Sequence, residues 1–359
     1  MKKVFFLIPV LFFITGCNDD DNPLSLDPNP VTSDSWVFVA NEGNFGSTNG
    51  TISMISEDGI VLTTDIIGAT VQAIEVYNDK LIVLINGDSK MKIFDITQEG
   101  LSMPGIEIDL DGSGPRFMTI VDNEGVENDK VYITNWNSED IKVFNLYTYV
   151  IESTISVSGS KPEGIVEKDG NLWVTLVNNS DWSAGTSVNR YDVATHALLS
   201  TYNVGEGPSS FEFLGDELYI SRTYYNEDYT AINHGIAKIS GLDEAPIIQN
   251  YGSGVACAGS VVNINNQIYR TLPDNPDTET LGGIAAIGDN LDHDLSRMIG
   301  SYEQSNVYHV EVIDNEIWFA ITDYQDLNEV RVLSYSGAET ASYNVGISPR
   351  DFAVWYKQQ

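Results

Sequence analysis

Basic residues are scarce in this 359-residue chain: 18 lysines and arginines face 52 aspartates and glutamates, for a formal net charge of −34. A surface this acidic repels phosphate backbones and anionic head groups, which argues against nucleic-acid binding and electrostatic docking to membranes. Cysteine is scarcer still. Only Cys17 and Cys257 occur; if Cys17 is modified, Cys257 stands alone, no intrachain disulfide is possible and stability must come from core burial, which a chain of this length and 42% hydrophobic content can supply. Histidine occurs four times, at positions 196, 234, 293 and 309, with no second histidine nearby in any motif context. Long apolar runs are absent beyond Val4 to Ile14, which is too short to span a bilayer. No segment after it shows a sustained helical apolar period, which excludes a helical domain.

The one apolar run follows Met1-Lys2-Lys3 and ends in Ile14-Thr15-Gly16-Cys17, the layout of a secretory signal. A lone cysteine directly after small residues resembles a bacterial lipobox. That resemblance implies a signal peptide over 1–16 and a lipid-bearing Cys17, whose acyl chains would anchor the protein to a membrane. Asp19-Asp20-Asp21 resembles the acidic signal that sends Bacteroidetes-type lipoproteins to the cell surface, so the expected location is the outer membrane, facing outward. Residues 17–34 are rich in Pro, Asn, Asp and Ser and read as a tether.

From residue 35 a pattern recurs. A turn of Asp, Asn or Gly leads into a short β run: DSWVFVAN from Asp34, NDKLIVLIN from Asn78, NDKVYITN from Asn128, DGNLWVTL from Asp169, GDELYISR from Gly215, NNQIYRTL from Asn265 and DNEIWFAI from Asp314. The interval is roughly forty to fifty residues, that of propeller blades. Each copy is followed by a second β run, such as MKIFDI from Met91 or VRVLSY from Val330. Ahead of most copies lies a glycine- and proline-bearing turn: GSGPRFMTI from Gly112, GSKPEGIVE from Gly159, GEGPSSFEF from Gly205 and GISPRDFAV from Gly346, with weaker versions at ATVQAIEV, GSGVACAGSVV and SNVYHVEV. Residue 36 has no such element before it and Arg350 to Tyr356 has no blade after it. The spacing therefore predicts an all-β, seven-bladed β-propeller over 35–359, with the C-terminal strand completing the first blade.

The G-x-x-P turn, the N-D-x-[LIV]-[YW] run and the [IV]-x-V-[FY]-[ND] run resemble YncE-like propellers with YVTN-type repeats, and ANEGNFGSTNGTISMIS at 40–56 resembles the first blade of surface propeller lipoproteins of the Bacteroidetes type. Relatives of that class include a cobalamin-binding lipoprotein seated over a TonB-dependent transporter. The resemblance thus implies capture of a corrinoid and its handover to such a transporter, with glycan or protein binding as the alternative and a propeller lyase or hydrolase as a third.

Loops between the second and third strands should share a face with the turns into the innermost strands. Phe45, Trp136, Trp182, Tyr224, Tyr225, Tyr229 and Tyr324 all fall in such loops, while Gln72, Arg116, Glu163, Ser209, Tyr308 and Arg350 begin innermost strands and should point into the central funnel. Rigid aromatic area rimmed by amides suits a large, flat or sugar-like ligand. Of these, Phe45, Arg116, Trp136, Glu163, Trp182, Tyr224, Tyr225, Tyr324 and Arg350 are the binding candidates. Catalytic signals are poor. His234, in a face loop, and His309, on an innermost strand, are the acid–base candidates; Ser209-Ser210 lacks a nucleophile-elbow context and Cys257 sits in Ala-Cys-Ala. Asp109 to Gly114 begins like a calcium loop but lacks its later bidentate acid and reads as a turn. No resident cofactor or metal site is expected, although calcium stays open among so many carboxylates.

Overall fold

The computed structural model describes residues 31–123, 125–254, 259–272, 281–303 and 306–358. The readings of the signal peptide, Cys17, most of the tether and Cys257 lie outside them. Twenty-eight strands, β1 to β28 in chain order, form seven antiparallel sheets of four. The propeller expected from the repeat is therefore present. The innermost strands are β4 (Val71–Tyr77), β8 (Pro115–Val121), β12 (Ser160–Lys168), β16 (Pro208–Leu214), β20 (Val261–Ile264), β24 (Val307–Ile313) and β28 (Pro349–Tyr356). Blade one runs β28, β1 (Ser35–Asn41), β2 (Thr51–Ser56), β3 (Val61–Thr63), so the last strand of the chain closes the ring against the first.

The recurrent Asx and Gly turns explain the blades. Asn78, Asp169, Asn265, Asn266, Asp314 and Asn315 take φ between 50° and 64°, the left-handed region that tight hairpins require and that Asn and Asp tolerate best. Each turn joins an innermost strand to its neighbour, and the alternating apolar residues that follow pack blade on blade. Ile82, Leu84 and Met91 of the second blade bury against Val131, Ile133 and Phe144 of the third, and comparable clusters fill other seams.

Six innermost strands share a further feature. Their register slips at the start, around Gln72, Arg116, Glu163, Ser209, Tyr308 and Arg350. A bulge adds a residue without a cross-strand partner and re-aims its side chain. The six residues expected at the funnel sit at these bulges.

Candidate functional site

The central channel has two levels. At its upper mouth lies a cavity of about 230 Å³ whose lining includes Trp136, Glu163, Ser209, Tyr308, His309 and Arg350. Arg116 donates through Nε and Nη2 to the two carboxylate oxygens of Glu163, both at 2.8 Å, and through Nη1 to Gln72 Oε1 at 2.5 Å. Opposite, Arg350 donates to the Tyr308 hydroxyl at 3.2 Å, Tyr308 donates to Glu42 Oε2 at 2.6 Å, and Arg350 Nε lies 3.2 Å from Glu42 Oε1. Burial works against the Arg350 cation, but Glu42, Tyr308 and Glu163 outweigh it and hold the guanidinium charged. Each arginine is thus neutralised by a glutamate, leaving donors at the mouth without net charge.

From this mouth an aromatic ridge runs outward over blades three to five. The Arg116 guanidinium lies 3.9 Å over Trp136, whose ring meets Trp182 edge to face at 5.6 Å; Lys161 Nζ sits 4.2 Å from the Trp182 ring. Tyr229 donates its hydroxyl to the Trp182 carbonyl at 3.3 Å and lies 5.9 Å from the Tyr225 ring. Trp182, Tyr229 and Tyr225 are about half exposed. Trp182 and Tyr229 take φ of 69° and 56°, values rarely adopted by bulky residues. Both belong to one loop design, N-S-D-W-S at 179–183 and N-E-D-Y-T at 226–230. In each, the aspartate accepts from the hydroxyl of the Ser or Thr two residues on, the asparagine side-chain amide donates to that hydroxyl, and the aromatic amide donates to the asparagine carbonyl. The duplicated loop holds an aromatic ring outward at a backbone cost, a pattern that suits a working surface.

Other expected residues fall differently. Tyr324 packs edge to face on Tyr308 at 5.5 Å and so joins the opposite side of the mouth. Phe45 is fully exposed and away from the ridge contacts. Tyr224 and Tyr225 end β17 (Glu217–Tyr225), and His234 lies on β18 (Ile232–Ile239), not in a face loop as expected. The reason is that this hairpin zips up to Tyr225 and Ile232, leaving only the tight loop between them. His234 is wholly buried and its ring nitrogens have no hydrogen-bond partner among the described residues. Asp109 to Gly114 forms a turn, with Asp111 at φ 56°.

Below the mouth a cavity of about 560 Å³ brings His309 together with residues that the sequence reading had not singled out: Glu75, Glu212, Glu311 and Asp351. Glu311 lies 3.6 Å from His309 Nε2, and donor atoms of His309, Glu311 and Asp351 lie within 4.8 Å of one another, close enough to hold a cation together. Ser260 Oγ is 3.2 Å from His309 Nδ1 and fixes the ring. The 26% of the His309 side chain and 39% of that of Glu311 that remain accessible face the channel. Burial pushes Glu311 up to about 8; burial, then Asp351 and Glu311, raise Glu75 to about 8; burial, then Glu311, raise Asp351 to about 6; burial raises Glu212 to about 7. Burial lowers His309 to about 4. The signal for these acids was present: A-I-E-V, S-F-E-F and H-V-E-V place Glu75, Glu212 and Glu311 at one position of three blades.

No family model and no curated protein matches the chain. Solved structures do. Hydrazine synthase of Kuenenia stuttgartiensis superposes with a TM-score of 0.59 at 13% identity, covering 79% of this chain and 89% of that one. Virginiamycin B lyase of Staphylococcus aureus gives 0.53 at 17%, covering 79% and 92%. The computationally designed Ika8 protein gives 0.53 at 12%, covering 89% and 96%. Identities this low establish the propeller fold alone, not a YncE-like or Bacteroidetes-type family. A synthase, a lyase and a designed protein on one scaffold also show that the scaffold does not name the activity.

Replacing Glu163 by Gln tests the mouth. Glu163 is 6% exposed and carries the bidentate pair. Removing one partner of a buried pair leaves a charge uncompensated, so the variant is expected to lose about 3 kcal/mol in denaturant unfolding.

Proposed function

We propose that this protein is a lipid-anchored, surface-displayed capture module that binds a corrinoid on its upper face and passes it to a TonB-dependent outer-membrane transporter. The observation that carries the reading is the aromatic ridge Trp136, Trp182, Tyr229, Tyr225 running into the mouth. Rigid rings held outward by a repeated loop offer flat apolar area, and the paired arginines offer polar contacts without net charge. A large ligand with a planar macrocycle and peripheral amides matches both, whereas a highly anionic ligand is disfavoured by the chain's overall charge. The lipid anchor and the outward address rest on the lipobox and acidic cluster of residues 14–21.

The test is calorimetric titration of the compact unit Thr32–Gln359 with cyanocobalamin. Binding is expected, weakened about 10- to 100-fold when Trp136 and Trp182 are both changed to alanine, the loss typical of central aromatic anchors. Absence of heat and of any thermal shift at saturating vitamin would discard the corrinoid and leave glycan or protein recognition by the same ridge. A lyase reading has one observation in its favour, His309 beside Glu311 in the channel. It predicts product release from a bound ligand, abolished by His309→Ala with binding retained.

A further inference from the structure

The seam between the fifth and sixth blades contains a charge with no counter-ion among the described residues. Arg270, on β21 (Gln267–Thr271), is fully buried. Its Nη1 donates to its neighbour's carbonyl, Thr271 O, at 2.7 Å and its Nη2 crosses the seam to donate to the Arg222 carbonyl at 3.1 Å; Nε has no acceptor. Among the described residues no carboxylate pairs with it. The Tyr251 ring lies 5.4 Å away, itself capped by His293 at 4.1 Å.

The wall that faces Arg270 across the seam is equally unpaired. Alternation along β17 and β18 turns Tyr219, Ser221, Thr223, His234 and Ile236 to one side, and Tyr219 and Ile236 pack with Val261 and Ile268 of blade six. Ser221 and His234 are 0% exposed. Ser221 Oγ, Thr223 Oγ1 and both His234 ring nitrogens have no hydrogen-bond partner among the described residues. Burial and then the Arg270 charge hold His234 far below its ordinary value, at about 3, so the imidazole is neutral and offers one N–H. Only glycine fits the corner: a Cβ at Gly259 would lie 2.8 Å from Ser221 Oγ and 3.2 Å from Thr223 Oγ1. Thr223 and Gly259 also line the mouth cavity, which gives the seam a way in.

Orphaned buried polar atoms are rare and costly, and an isolated buried cation costs several kcal/mol. Water could accept from the hydroxyls, but it does not neutralise a guanidinium. A cation is repelled. The set of one guanidinium, two hydroxyls and one imidazole N–H calls for an acceptor of small size and negative charge. We propose that this seam, reached from the mouth, binds a small monovalent anion, a halide or a formate-sized carboxylate, against Arg270 with Thr223, Ser221 and His234 as donors.

The experiment is thermal unfolding of the whole chain at fixed pH and ionic strength, exchanging sodium gluconate, whose anion is far larger than a halide or formate, for sodium chloride or sodium formate. The midpoint is expected to rise by about 2–4 °C at chloride tenfold above its dissociation constant and to level off. Thr223→Val, which keeps the arginine, is expected to shift the half-saturating chloride concentration up at least fivefold; Arg270→Met is expected to abolish the dependence. A crystal soaked in bromide should show an anomalous peak beside Arg270. Identical midpoints in gluconate, chloride and formate, an unchanged chloride dependence in Thr223→Val, or a seam without bromide would each overturn the proposal and assign the orphaned donors to water.

Discussion

A chain ending at Ser348 is expected to lose cooperative folding. The missing strand, β28, pairs with β1 from Ser35↔Tyr356 to Asn41↔Pro349 and is the innermost strand of blade one. It buries Phe352 and Trp355, each 4% exposed, and its loss uncovers Trp36 and Phe38, both 0% exposed. It also ties blade one to blade two: Trp355 Nε1 donates to Asp79 Oδ1 at 2.8 Å, and Asp351 Oδ2 accepts from the Ile74 amide at 2.8 Å. Each large side chain returned to water costs about 1.5–3 kcal/mol, and whole domains are stable by only about 5–15 kcal/mol. Four such side chains with their ladder therefore remove most of the available stability. They also leave β1 as a free edge, a template for aggregation. The measurement is a thermal melt of the shortened chain, followed by addition of a peptide covering 346–358. A broad or absent transition that sharpens with peptide is expected; a full-length midpoint without it would show that the ring does not depend on its closure.

That closure was legible because it is a counting result. Seven Asx or Gly turns precede seven second strands, and the surplus G-I-S-P-R-D-F at the C-terminus answers the missing element at the start. The mouth was legible for a related reason. Residues following the G-x-x-P turns occupy bulges, and a bulge at the start of a strand re-aims whatever the sequence places there. What the sequence reading did not resolve depends on pairings between blades. Nothing local reveals that Arg116 and Glu163, 47 residues apart, meet as a bidentate pair, or that Gln72 completes it. His234 was misplaced because a polar stretch, N-E-D-Y-T-A-I-N-H, reads as loop when its last three residues in fact extend a strand against Tyr225, Tyr224 and Thr223. The duplicated N-x-D-aromatic-[S/T] loop was readable and is the stronger signal for the ridge than the aromatic count. The channel acids were readable too, but only once blades are aligned on one another.

Those acids set the response of the fold to pH. Glu75 and Glu311 titrate near 8 and Glu212 near 7 in the folded protein, against an ordinary glutamate value of 4.5. A carboxylate whose folded value lies above its unfolded value binds its proton more tightly when folded, so its contribution weakens stability as pH rises between the two values. The buried histidines act with the opposite slope. His309, at about 4, and His234 and His293, at about 3, stay neutral in the fold down to those values, whereas unfolded histidine takes up a proton near 6.5; they raise stability with pH up to about 6.5 and are flat above it. The two effects oppose each other below 6.5. Between about 6.5 and 8 only the carboxylates change, and the unfolding midpoint is expected to fall by several degrees in the presence of chelator. General repulsion in so acidic a chain acts in the same direction, so the variants decide. Glu311→Gln removes a channel charge and is expected to raise the midpoint at pH 8 while leaving it nearly unchanged at pH 5. Glu57→Gln removes the same charge from an exposed site and is expected to change neither. If both variants flatten the profile equally, the slope belongs to the surface as a whole; if only Glu311→Gln does, folding of this propeller requires protons held among facing acids at the centre of the ring.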